Sequence, residues 1–128
     1  MEIVRGTVVG GAGDYARWIA LYQADYRRKT GLTLYPGTLN LRLARPYPLP
    51  AAQLTRLEPG EYGGTVGISI VPARILGRPA VVLRPDVPGG ATAEEAAQRL
   101  TTLEVATDIK LRDVYGLTDG DTVAVEVG

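Results

Sequence analysis

The chain has 128 residues and 45% hydrophobic content, enough to fill one core, and it contains no cysteine and no histidine. These absences exclude a disulfide framework, thiolate metal sites, the usual zinc ligands and every nucleophile activated by an imidazole. The net charge is zero, with fourteen basic and fourteen acidic residues, so the basic excess of a general nucleic-acid binder is missing. Twelve of the basic residues are arginine, whose planar fork suits bidentate phosphate contact. Chemistry in such a chain must come from positioning, carboxylates, cations or a hard metal held by oxygen, and phosphoryl transfer fits that restriction. No run approaches the length of a membrane span, and no signal-peptide pattern opens the chain. The expectation is one cytoplasmic domain over residues 1–128 without membrane or nucleic-acid contact.

Glu2 to Val9 reads as a strand with apolar residues on both faces. Gly10-Gly11-Ala12-Gly13 ends it, and Asp14 is placed to cap the helix that follows. A glycine-rich turn between a strand and a helix N-terminus can cradle phosphates, because its N–H groups point outward and a ligand can approach closely. It has neither the lysine-threonine ending of a Walker A loop nor a clean dinucleotide fingerprint, and a plain turn fits as well. In the helix, Tyr15, Trp18, Ile19, Tyr22 and Tyr26 fall on one face, which is expected to pack against a sheet. Gly31 is the expected stop.

Pro36-Gly37 is a turn signal. Beyond it Leu39, Leu41 and Leu43 alternate with Thr38, Asn40 and Arg42, which predicts a strand with its leucines toward a core. The opposite face then presents a hydroxyl, an amide and a guanidinium, a set able to hold magnesium and a phosphate, or simply a solvated strand face with a threonine at the turn. Ala44 to Ala51 is a proline-rich extended loop, and Gly60, Gly63 and Gly64 mark a further turn. Thr65 to Ile75 and Pro79 to Leu83 form a predicted hairpin, with Pro72 implying an edge or a bulge.

Asp86 to Gly90 reads as a loop. Thr92 and Glu95 form a capping-box pattern for a helix over 93–100. A strand over 103–106, a helix over 109–115 ending at Gly116, an Asp-Gly turn at 119–120 and a strand over 122–127 complete the chain. Glu104 alternates away from its apolar neighbours, with Lys110 and Arg112 on the next helix: a carboxylate for a substrate hydroxyl, cations for phosphate, or plain surface charge. Six or so short strands, one main helix after the first and short extra helices predict a mainly β fold, a small closed barrel that hides its edges.

The order of Gly6-Thr-Val-Val-Gly-Gly-Ala-Gly-Asp14, Tyr35-Pro-Gly-Thr-Leu-Asn40, Val81-Val-Leu-Arg-Pro85, Leu103-Glu-Val-Ala106, Lys110-Leu-Arg112 and Leu117-Thr-Asp-Gly-Asp121 resembles the CTP-dependent riboflavin kinases of the archaeal type, with relatives in some bacteria. The resemblance spans most of the chain. It implies a six-stranded barrel of the cradle-loop (RIFT-like) kind, and transfer of the terminal phosphate of CTP to riboflavin to give FMN and CDP. By the same resemblance the nucleotide would contact Gly11, Ala12, Gly13, Asp14, Tyr15 and Ala16, together with Ile109, Lys110, Leu111 and Arg112. Thr38 and Asn40 would hold a divalent metal, magnesium. Glu104 would contact the flavin, position its ribityl hydroxyl and is the candidate base. The family pattern has a glycine where this chain has Tyr15, and the segment 86–102 is longer than usual. The alternative expectation is a nucleotide- or flavin-binding regulatory barrel without turnover.

Overall fold

A computed structural model describes residues 1–11 and 15–128. Among these residues run seven antiparallel strands: β1 (Glu2–Val9), β2 (Leu39–Arg42), β3 (Thr55–Leu57), β4 (Ile68–Ile75), β5 (Arg78–Pro85), β6 (Thr102–Ala106) and β7 (Thr122–Val127). The helices are α1 (Tyr15–Leu21), α2 (Gln23–Thr30), α3 (Pro59–Tyr62), α4 (Ala93–Leu100) and α5 (Leu111–Tyr115). The strand order is β3-β4-β5-β6-β2-β1-β7, and β4 also pairs with β7. That last pairing closes six strands into a barrel and leaves β3 as an extra strand beside β4.

Alternation along each strand sorts side chains into two cores. Val8, Leu39, Leu41, Val82, Leu103, Val105 and Val125 point into the barrel and are fully or nearly fully buried. On the outside, Val81, Leu83, Ile70 and Ile68 pack against Ile19 and Tyr26 of α1 and α2, with Leu34 and Leu57. β5 is thus buried on both faces, which explains its continuous apolar run. Each such buried aliphatic side chain contributes roughly 1.5–3 kcal/mol.

Pro72 does not sit at an edge. It pairs opposite Val81 at the point where β4 leaves β3 and joins β7. Its carbonyl accepts from the Gly128 N–H at 2.9 Å, so its nitrogen faces the same gap between β3 and β7. The missing N–H therefore costs no ladder bond. The predicted strand from Thr65 begins only at Ile68, and the predicted single helix is two, because Tyr22 leaves helical geometry at φ −113° and ψ 33°. Gly31 ends α2 in the left-handed region as expected, at φ +74°. The stretch around Gly60 is a helical turn, α3, as well as a bend, and β3 precedes it.

These pieces frame one outer face of the barrel. The Tyr35 N–H donates to the Thr107 carbonyl at 2.7 Å, and Gly37 turns at φ +150°, fixing the entry to β2. Lys29 on α2 pairs with Glu61 on α3 at 2.7 Å, and the Tyr22 and Tyr62 rings meet edge to face at 4.9 Å, holding α3 against α2. In α4 the capping box is present: the Glu95 N–H donates to the Thr92 hydroxyl at 3.1 Å. The Leu100 and Thr101 carbonyls at its end accept from the Tyr47 and Leu43 N–H groups, which ties α4 to the chain leaving β2. Among the described residues no helix is long and apolar enough to cross a membrane.

Candidate active site

The register puts three predicted residues in contact. Asn40 on β2 lies opposite Val9 of β1 on one side and Glu104 of β6 on the other. Leu39 and Leu41 are locked into the barrel, so Asn40 projects outward, where it is 8% exposed. Its amide orientation follows from its neighbours. The nitrogen donates to the Glu104 carboxylate at 3.0 Å and to the Thr38 hydroxyl at 3.2 Å, and the oxygen accepts from the Gly11 N–H at 3.3 Å. A side chain at Gly11 would strike this amide, so glycine is required there by close approach. One side chain thus joins the glycine loop, the turn before β2 and the carboxylate of β6.

Glu104 has an unusual environment. Leu103 and Val105 hold its strand to the barrel, and its own carboxyl is largely withdrawn from water. Burial pushes its pKa up to about 7; the Arg99 and Arg84 guanidinium groups and the Thr38 hydroxyl pull the other way without cancelling that effect. Such a carboxylate can accept a proton near neutral pH.

Gly11, Asn40 and Glu104 form the floor of a cavity of about 640 Å³, a volume that suits a cofactor-sized ligand, while Thr38 is not in its lining and is tied to it through the Asn40 amide. One wall is aromatic: Trp18 and Tyr22 stack with ring centres 5.9 Å apart, and Tyr62 abuts Tyr22. The opposite wall is polar, from Gln98 and Arg99 of α4 with Arg84 and Thr102. Three arginines (Arg42, Arg84, Arg99) against two glutamates (Glu95, Glu104) give the lining a positive balance that favours an anion. Arg84 is held by donating to the Tyr47 carbonyl at 2.5 Å and the Thr102 carbonyl at 3.4 Å; burial lowers its pKa, yet guanidinium stays protonated.

The other predicted residues are placed as follows. Gly10 and Gly11 border the cavity. Ala12, Gly13 and Asp14, including the expected cap, lie outside the described residues. Tyr15 opens α1, and Ala16 is exposed on it. The segment 109–112 stands at the end of the barrel, not in the cavity wall. There Ile109 packs on the barrel core, Leu111 is buried in it, and Lys110 is exposed, 3.6 Å from Asp113. Arg112 donates to the Val9 carbonyl at 3.1 Å and to Asp119 at 2.5 Å, so this segment adjoins the start of the glycine loop. Any contact from Leu111 to a ligand runs through its main chain.

The aromatic stripe departs from its expected role. Ile19 and Tyr26 do pack on the sheet, but Trp18 is 39% exposed and lines the cavity with Tyr22. The sequence reading missed this wall, as it missed Tyr62, Arg84, Arg99 and Gln98. The break at Tyr22 is what splits the stripe, and helical spacing alone carries no sign of it.

Comparison with known proteins bears on this arrangement. A family model named for CTP-dependent riboflavin kinases, and described as domain of unknown function DUF120, matches residues 8–127. A riboflavin kinase of Methanocella arvoryzae is 36% identical, over 96% of this chain and 56% of its own length. One from Aeropyrum pernix is 33% identical, over 94% of this chain and 92% of its own length. One from Pyrobaculum arsenaticum is 35% identical, over 95% of this chain and 59% of its own length. The chain therefore spans little more than half of the first and third of these relatives and nearly all of the second.

Proposed function

The chain belongs to the CTP-dependent riboflavin kinase family, and from that premise we propose that it transfers the terminal phosphate of CTP to the 5′ hydroxyl of riboflavin, giving FMN and CDP. The observation that carries this reading is the join of Gly11, Thr38 and Glu104 through the Asn40 amide on the floor of a cavity with one aromatic and one cationic wall. Phosphoryl transfer requires an acceptor hydroxyl and a phosphate chain brought together with their charge compensated. Gly10 and Gly11 border the floor at one side, and the loop they open takes the phosphates. Arg112, anchored to Val9 beside the loop, supports that end of the nucleotide.

Glu104 accepts a hydrogen bond from the ribityl 5′ hydroxyl and takes its proton as the oxygen attacks the terminal phosphorus. The bond from that phosphorus to the bridging oxygen breaks, and CDP leaves with the electron pair. Burial holds the carboxyl close to the proton affinity the task requires. The aromatic wall offers a face to the flavin ring.

The donor types fit magnesium: the Thr38 hydroxyl offers one neutral oxygen, and the Asn40 amide would offer a second by turning its oxygen from Gly11 to the Thr38 side, where it stands 3.2 Å from that hydroxyl; phosphate oxygens and water would complete such a shell. When bound, the ion neutralises charge on the transferring phosphate.

The test is an incubation with riboflavin, magnesium and each of the four nucleoside triphosphates, scored for FMN by chromatography. FMN with CTP, and much less with the others, is the expected result. Absence of FMN with all four overturns the kinase reading, and CTP binding without turnover assigns the barrel to regulation. Thr38→Ala removes the hydroxyl bonded to the Asn40 amide without touching either core; it is expected to lower the rate at least a hundredfold, about 2.7 kcal/mol, with an unchanged circular dichroism spectrum. Full activity in that variant removes Thr38 from the metal site.

A further inference from the structure

Tyr26 stands out among the groups that the proposed mechanism does not use. Its ring sits on α2 at 0% exposure, packed in the outer core with Ile19 and Leu34. Among the described residues its hydroxyl has no hydrogen-bond partner. A buried hydroxyl left alone costs roughly 1–3 kcal/mol, and phenylalanine would fill the same space without that cost. Two other buried polar atoms lack partners among the described residues, Gln23 Oε1 and Arg78 Nε. Both belong to side chains engaged through another atom: Gln23 donates to the Leu34 carbonyl and Arg78 to Asp108. Neither lines the cavity, whereas Tyr26 does.

Tyr62 and Glu104, both cavity residues, lie near enough to add to the effect of burial in holding the Tyr26 proton on. The phenol therefore stays a neutral donor, on a residue that lines the same cavity as Glu104. What it lacks is an acceptor. The flavin ring is matched by the flat faces of Trp18, Tyr22 and Tyr62, but the part of riboflavin that must reach Glu104 is the ribityl chain, a string of hydroxyls.

We infer that Tyr26 is a substrate-binding residue whose hydroxyl donates to a ribityl hydroxyl of riboflavin and, with Glu104, sets which end of the flavin enters the site. The inference rests on the kinase reading above. It makes the chain selective for flavins that carry a polyhydroxyl tail, because only these satisfy the orphaned donor.

The experiment titrates the whole protein and its Tyr26→Phe variant with riboflavin and with lumiflavin, which has the ring without the ribityl chain, by flavin fluorescence. The thermal midpoint is measured without ligand, and KM is measured for both substrates. The variant is expected to bind riboflavin about tenfold more weakly, the loss of one net hydrogen bond. Lumiflavin affinity and the KM for CTP stay unchanged, and the ligand-free thermal midpoint does not fall. Equal riboflavin affinity in the two proteins overturns the inference, as does an equal loss toward lumiflavin, which would put the contact on the ring. A lowered midpoint with unchanged riboflavin affinity also overturns it, by making the hydroxyl structural. The wild-type arm reports separately on the kinase reading: no riboflavin binding there overturns that reading and the Tyr26 role with it, whereas wild-type binding without a difference in the variant sinks only Tyr26.

Discussion

Glu104→Gln is expected to abolish FMN formation while making the ligand-free protein more stable at alkaline pH. Glutamine keeps the shape of the side chain and can still accept from the Asn40 amide, which donates to Glu104 at 3.0 Å. It cannot take a proton. Loss of a general base lowers rates by about 10²–10⁴-fold, and a variant retaining more than a tenth of wild-type activity would remove that role from Glu104. The stability effect has the opposite sign. Burial raises the pKa of this carboxyl to about 7 in the folded chain, while in the unfolded chain it titrates in the ordinary carboxylate range. Between those limits the folded state binds more protons, so stability falls as pH rises through the window. Each unit of that rise is worth about 1.4 kcal/mol, and the Asn40 amide, which donates to the charged form, offsets part of the cost of the carboxylate above about pH 8.

Denaturant unfolding with a chelator present, at about pH 4 and about pH 8, measures this. The variant should gain on the wild type only at the higher pH. Asp86, Asp108 and Glu61 have lowered pKa values, first because of hydrogen bonds from Arg56, Arg78 and Lys29 respectively. Their contribution is present above the unfolded range and is lost as pH falls, and it is common to both proteins. The difference between variant and wild type therefore isolates Glu104. Equal stability of the two at the higher pH would mean that the carboxyl is not desolvated.

What could be read in advance was what local chemistry encodes. The Thr92–Glu95 box, the left-handed stop at Gly31 and the alternation of Leu39, Leu41 and Leu43 are each settled within a few residues, and each is where the sequence reading put it. β3 is only three residues long and buries a single leucine, Leu57, so it has no period to detect. It exists because β4 offers it an edge. Pro72 was misread for a related reason. Whether a strand proline forfeits a bond depends on which neighbour lies beside it, and β4 changes neighbours there. The site divides in the same way. Thr38, Asn40 and Glu104 stood out as polar residues alternating with core residues. Arg84, Arg99 and Tyr62 are ordinary surface types in sequence, and they become cavity walls only when α3 and α4 fold over β5 and β6.

Asn40→Ala is expected to have the second large effect, because the side chain serves three partners at once. Without it the Gly11 N–H loses its acceptor, and Thr38 and Glu104 lose a donor. Unsatisfied groups of this kind cost roughly 1–3 kcal/mol in stability. The loss of positioning should cost more in catalysis, about 10²–10³-fold or 3–4 kcal/mol, with a higher magnesium concentration needed for half-maximal rate. Asn40→Asp separates charge from shape. It keeps an oxygen for Gly11 but sets a second carboxyl beside Glu104, so the two must share a proton and the variant should lose stability as pH rises past neutral. Gly11→Ala approaches the same amide from the other side, since its methyl group would displace Asn40 and not another backbone segment. If the single amide is what couples loop to carboxylate, Gly11→Ala and Asn40→Ala should lower the rate by similar factors, and the double variant should be little worse than either. Additive losses in that cycle would show instead that the loop and Glu104 act independently.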